Sequence, residues 1–169
     1  MLVMEARKVY VRDNFLSRGE TDITDERERK IGTLDLHGMF QSGVTVQSFS
    51  DGLTSYSGKF RAFSNTWLVF NGGDQEIGTL KAKFTFFTKR YVYDSDTHGT
   101  FYIESPAFSR EYTVKTEREQ LAAEFRRVDG MFGAGAFELT NDSTLPMEEL
   151  IVVVMGVHAI QKRQSAAST

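Results

Sequence analysis

The stretch Leu150-Ile151-Val152-Val153-Val154-Met155-Gly156-Val157-His158-Ala159-Ile160 decides the architecture. It is a nearly unbroken apolar run. Spanning a membrane takes roughly 20 apolar residues. This run is shorter, with Glu148, Glu149, Lys162 and Arg163 close on either side. Ile and Val also favour strands, so the ends must choose. Pro146 keeps Leu145 out of helical conformation, which puts Leu145 at the cap and Pro146 at the first helical position. Glu148 and Glu149 then fall in the first turn and Lys162 and Arg163 in the last, each where the helix dipole favours its charge. The reading is a helix over residues 146–163. A helix apolar all round must be enclosed, so the rest of the chain is expected to wrap it.

Composition agrees with a β wrapping. The 169 residues are 40% hydrophobic and include 14 Phe, 6 Tyr and 14 Gly but only 2 Pro. Aromatics with many glycines point to strands and tight turns. The absence of cysteine excludes disulfides and thiolate metal sites. A net charge of −3 gives no general pull toward nucleic acid. Charges at Glu5, Arg7 and Lys8 interrupt the N-terminus before a signal-peptide core forms. The expectation is a soluble, cytoplasmic chain with one domain over residues 1–163 and a flexible tail at 164–169.

An internal repeat organises the rest. Ile31-Gly32-Thr33-Leu34 returns as Ile77-Gly78-Thr79-Leu80, and Leu121-Ala122-Ala123-Glu124 stands about the same distance further on. A charged or Gly-rich turn precedes each. Before each turn come two strand patterns: Val9–Val11 and Thr21–Thr24, Thr54–Ser57 and Thr66–Phe70, Thr100–Ile103 and Arg110–Val114. Aromatic-bearing segments follow: Met39-Phe40 then Val44–Val46, Phe86-Phe87 then Tyr91–Tyr93, Met131-Phe132 then Ala136–Leu139. Four strands in roughly 45 residues, three times over, make twelve. Three propeller blades would be fewer than the usual minimum of about four. A closed antiparallel barrel of about twelve strands fits better, with the apolar helix filling a lumen too wide for side chains alone.

Asp22-Ile23-Thr24-Asp25 leading to Ile31-Gly32-Thr33-Leu34, then Lys81-Ala82-Lys83-Phe84 with Phe86-Phe87, then Leu150 to Ile160, carry a family resemblance. The chain resembles the tubby C-terminal-like fold, and more narrowly the bacterial members of the LURP-one-related family, from about residue 8 to 163. The resemblance implies a twelve-stranded barrel around a central helix. In eukaryotic tubby proteins that fold binds phosphoinositide headgroups, and related scramblase-type proteins act at membranes. Shared fold is a weak warrant for shared function.

Catalytic constellations are missing from the sequence. His37, His98 and His158 are far apart and lack carboxylates at metal spacing, and His158 reads as a core or helix-end histidine with one hydrogen bond. No nucleophile elbow, Walker loop or zincin motif occurs. Gly130–Gly135 has the wrong spacing for a phosphate loop and reads as a hairpin. Glu117, Glu119, Glu124 and Glu138 read as turn and outward positions. Gly156 costs the helix about 1 kcal/mol against Ala, and is expected to admit a bulky barrel side chain, such as a Phe ring. No catalytic residue, metal or other cofactor is expected. One surface feature remains. If Leu80, Ala82 and Phe84 point inward, Lys81 and Lys83 point out; Lys89 and Arg90 follow, with Arg126 and Arg127 in a related place in the third unit. There the parity conflicts: Leu121, Ala123 and Phe125 alternate oppositely to the second unit, which a β-bulge would reconcile. The functional expectation is a non-enzymatic binding or scaffold module, recognising an anionic membrane headgroup through Lys81, Lys83, Lys89 and Arg90, or a protein partner. The alternative is a small-molecule carrier or enzyme using the barrel mouth.

Overall fold

Three turns of one design space the strands. Each has five residues: 25–29, 71–75 and 116–120. The first residue's N–H donates to the fifth's carbonyl, at 3.0, 3.0 and 2.9 Å. The fourth residue, Glu28, Asp74 or Glu119, adopts a left-handed φ near 60°. Its N–H donates to the first residue's carbonyl. The first side chain stabilises the turn from within, as Asx and hydroxyl turns do. Asp25 Oδ1 accepts from Arg27 and Arg29 N–H, Asn71 Oδ1 from Gly73 and Gln75 N–H, and Thr116 Oγ1 from Gln120 N–H.

The computed structural model describes residues 7–39, 43–48, 55–84, 89–105, 109–131 and 134–167. In chain order the elements are β1 (Lys8–Arg12), α1 (Phe15–Arg18), β2 (Glu20–Thr24), β3 (Lys30–Gly38), β4 (Gly43–Ser48), β5 (Ser55–Phe60) and β6 (Trp67–Phe70). They continue as β7 (Glu76–Phe84), β8 (Lys89–Ser95), β9 (Gly99–Ser105), β10 (Tyr112–Thr116), β11 (Leu121–Met131), β12 (Ala134–Asn141) and α2 (Met147–Ala167). Each strand pairs antiparallel with its sequence neighbour, and β1 pairs with β12, closing a twelve-stranded barrel. Closure leaves no unpaired edge.

The three units superpose in register. A bulge falls at Ile23/Thr24, Val69/Phe70 and Val114/Lys115. Gly32, Gly78 and Ala123 then face Ile23, Val69 and Val114, while Leu34, Leu80 and Phe125 face Thr21, Trp67 and Tyr112. The third counterpart of Ile31–Leu34 is therefore Ala122–Phe125, one residue later than Leu121–Glu124. That offset removes the parity conflict: Ala123 and Phe125 are inward, like Gly78 and Leu80. Met39 lies in a turn and Met131 ends β11; Phe40, Phe86, Phe87 and Phe132 lie outside the described residues.

α2 occupies the lumen. Every residue from Met147 to Ile160 is buried. Its neighbours come from around the wall: Val9 and Val11 on β1, Trp67 on β6, Tyr93 on β8, Tyr112 on β10, and Phe137 and Leu139 on β12. A cavity of about 10 Å³ is left between β1, β11, β12 and the helix. A Cβ on Gly156 would lie 2.4 Å from Trp67 Cδ1, and one on Gly58 would lie 2.5 Å from Trp67 Nε1. The side chain that Gly156 admits is the indole of Trp67, held between two glycines, rather than a Phe ring.

The helix bounds need correction. α2 begins at Met147, where Leu150 N–H donates to the Pro146 carbonyl, and runs to Ala167. Residues 164–167 are thus helical rather than a tail. Lys162 and Arg163 lie short of the last turn. Arg163 lies over the Phe60 ring at 3.5 Å and donates to the Ser64 carbonyl and Asn65 Oδ1. α1 is also new: Ser17-Arg18-Gly19-Glu20 reads as a turn signal in the sequence, yet a short helix forms over Phe15–Arg18 and Phe15 is fully buried against Phe125, Phe137 and His158. Among the described residues no helix is long and apolar enough to cross a membrane.

Candidate functional site

The barrel has two ends. At the proximal end α2 goes in, beside the β2–β3, β6–β7, β8–β9 and β10–β11 turns. At the distal end its C-terminus comes out, beside α1 and the β5–β6 turn.

Alternation along β7 buries Gly78 and Leu80 and exposes Lys81 and Lys83 on the outer wall. Lys83 sits directly across from Arg90 on β8, and Arg90 across from Glu104 on β9. One step along, Lys81, Val92, Tyr102 and Lys115 form the next outward row. The structure therefore brings Lys81, Lys83 and Arg90 onto one face. Lys89 is not part of it. It pairs with Phe84 and shares the inward parity of Tyr91 and Tyr93, at the half-buried rim.

The cations on this face are not equal. Arg90 stacks 4.1 Å over the Tyr102 ring and pairs with Glu104 and Glu119, at 3.7 and 3.5 Å. Lys115 reaches the same two carboxylates, at 3.8 and 4.0 Å. Two cations and two carboxylates thus offset each other. Lys81 and Lys83 meet no carboxylate among the described residues. The counterparts in the third unit are also engaged: Arg126 with Glu138 at 3.5 Å, Arg127 with Asp129 at 2.7 Å and Asp13 at 3.3 Å. The Arg90 network joins residues from three segments, β8, β9 and β10 with its following turn, so no single sequence window signals it.

Buried ionisable groups lie inside. Tyr93 Oη donates to Glu149 Oε2 at 2.6 Å, and burial raises the Glu149 carboxyl above its ordinary range. His158 is enclosed by Phe15, Tyr112 and Phe125, all edge-on at 4.9 to 5.7 Å, and Nδ1–H donates to the Val154 carbonyl at 3.1 Å. Burial, aided by Arg110 and Lys162, pushes its pKa down to about 3. It is a neutral core histidine with one hydrogen bond.

Metal chemistry has one geometric opening among the described residues. Glu20 and Asp35 oppose each other across β2 and β3, with His37 two residues on; one ligand atom from each lies within 4.8 Å of the others. All three are exposed, and His37 Nδ1 is already 2.9 Å from Asp35 Oδ1. Elemental analysis of tag-free, dialysed protein is expected to find no stoichiometric zinc or iron. Near-stoichiometric metal that disappears in His37→Ala would overturn this.

Comparison with known proteins yields a fold. No family model matches the chain, and no curated protein matches it in sequence. The X-ray structure of a protein from Arabidopsis thaliana, AT5G01750, is similar with a TM-score of 0.57, over 94% of this chain and 98% of that one, at 14% identity. The chain is therefore of the class in which a closed twelve-stranded barrel surrounds a C-terminal hydrophobic helix. At 14% identity that likeness extends to the fold alone.

Proposed function

We propose that this chain is a non-enzymatic binding module whose outer wall recognises anionic membrane headgroups. The observation that carries the reading is the pair Lys81 and Lys83, exposed on one wall with no carboxylate partner among the described residues. The filled lumen supports it. A lumen cavity of about 10 Å³ holds no small molecule, which argues against a carrier that encloses its ligand inside the barrel. Resemblance to the tubby C-terminal-like fold, in its bacterial LURP-one-related form, supports the same reading. On this reading the protein is cytoplasmic and peripheral at the membrane. Lys81 and Lys83 contribute about 1 kcal/mol each near an anionic surface. Arg90 contributes little charge, because Glu104 and Glu119 offset it, and serves to hold the wall rigid.

Liposome co-sedimentation tests it. Association is expected to require anionic lipid, fade with salt, and fall at least about 25-fold in Lys81→Glu/Lys83→Glu that still folds. Binding that ignores salt and survives the charge reversal would sink the reading. Salt-sensitive capture of a protein with no affinity for vesicles would favour a protein partner instead.

A further inference from the structure

The two barrel ends differ in charge, and the net charge of −3 hides the difference. At the proximal end Arg7 and the segments 25–29, 71–75, 96–98, 117–120 and 142–150 hold ten carboxylates and four cations, with Arg7 paired to Asp142. At the distal end the segments 13–19, 61–66, 109–111 and 161–167 hold five cations, Arg18, Arg61, Arg110, Lys162 and Arg163, and two carboxylates. Both carboxylates are engaged: Asp13 pairs with Arg127, and Glu111 accepts from the Arg127 N–H at 3.1 Å. Arg163 donates only to neutral oxygens, and Arg61 and Lys162 meet no carboxylate among the described residues. Lys83 lies in the same half, near the distal end of β7.

Phe63 stands at this end. It is fully exposed, in the β5–β6 turn, with a left-handed φ of 56°. The left-handed positions of the three proximal turns hold Glu28, Asp74 and Glu119. A bulky side chain there is strained and gains no burial from folding. Beside it Phe60, Arg61, Ser64, Asn65 and Arg163 line a concavity of about 460 Å³. An exposed aromatic ring flanked by uncompensated arginines is the composition of an interfacial anchor.

We infer that the distal end docks on an anionic lipid surface, with Phe63 inserted at the headgroup boundary and Arg61, Lys162 and Arg163 facing lipid phosphates. This rests on the headgroup-binding reading and adds an orientation to it: α2 points its C-terminus at the membrane, and the acidic proximal end points away. Each cation near such a surface strengthens partition about fivefold, so the three named exceed the contribution of Lys81 and Lys83.

The chain has no cysteine, so single sites can be labelled. Phe63→Cys carries an environment-sensitive fluorophore at the distal tip, and Asp74→Cys carries it at the matching position of a proximal turn. Vesicles of phosphatidylcholine, with and without phosphatidylserine and spin-labelled acyl chains, are the probe. The label at 63 is expected to shift blue and be quenched only with phosphatidylserine present, while the label at 74 stays unchanged. Phe63→Asn suits the left-handed φ and keeps the fold; it is expected to weaken partition of the unlabelled protein about tenfold. Arg61→Glu/Lys162→Glu is expected to weaken it further. Vesicle binding with a silent label at 63, or with Phe63→Asn at full affinity, would overturn the orientation and leave headgroup binding standing. Wild-type protein that ignores anionic vesicles at low salt would overturn both.

Discussion

Val153→Asp is expected to unfold the barrel. Val153 is 1% exposed, at the middle of a helix enclosed on all sides. A carboxylate there has no partner, and an unpaired buried charge costs several kcal/mol. A domain of this size has roughly 5–15 kcal/mol in total, so one substitution consumes much or all of it. Truncation at Pro146 is expected to be worse. It removes Leu150 through Ile160 at once, and leaves Val9, Leu34, Leu80, Tyr93 and Phe137 facing an empty lumen. The barrel cannot collapse onto itself, because its twelve-strand register sets its width. Circular dichroism and urea unfolding check both variants. A cooperative, native-like β protein after truncation would refute the view that α2 is the core rather than an appendage.

Acid is expected to weaken the fold through His158. The folded pKa, about 3, lies below the ordinary histidine value of about 6.5. The folded state therefore binds fewer protons than the unfolded chain. The stability from keeping His158 neutral is complete above about pH 6.5, and is lost as pH falls toward 3. By linkage the loss is about 2–3 kcal/mol between pH 7 and pH 4.5. Glu149 works the other way: its raised pKa makes its contribution greatest at low pH and lost as pH rises through its titration. Urea unfolding at the two pH values, in wild type and His158→Leu, separates the two. His158→Leu is expected to lose stability at pH 7 from imperfect packing in the aromatic cage, yet lose about 2–3 kcal/mol less than wild type on acidification. An unchanged pH slope in the variant would show that His158 is protonated in the folded state at no cost.

Much of the architecture was legible because it is local. Turn chemistry at Asp25, Asn71 and Thr116 marks the hairpins, and alternation along Leu80–Lys83 assigns faces. The Leu150–Ile160 run is apolar on every side, which leaves a helix no solvent-facing solution. From these the twelve strands, the enclosed helix, the outward Lys81 and Lys83, and the core His158 all follow. The wall's basic positions were legible as a list, but not as a site. Lys89 and Arg90 are adjacent in sequence, and period two sends them to opposite faces of β8.

By itself, then, the sequence determined the strand pattern, that it wraps the last helix, and which side chains of the second unit alternate inward, while the third unit's inward set needed the paired register. The tertiary structure alone decided what those side chains meet. Trp67 against Gly156 joins positions 89 residues apart, and nothing near either one encodes the other. Arg90, Glu104 and Glu119 come from β8, β9 and the β10–β11 turn, and the lateral pairing of β8, β9 and β10 is what offsets their charges. α2 runs past Lys162 and Arg163 to Ala167, and Arg163 reaches the β5–β6 turn instead of marking the helix end. The separation of cations from carboxylates is likewise invisible along the chain, where both kinds are interspersed. It emerges because alternate connections of an up-and-down barrel go to opposite ends.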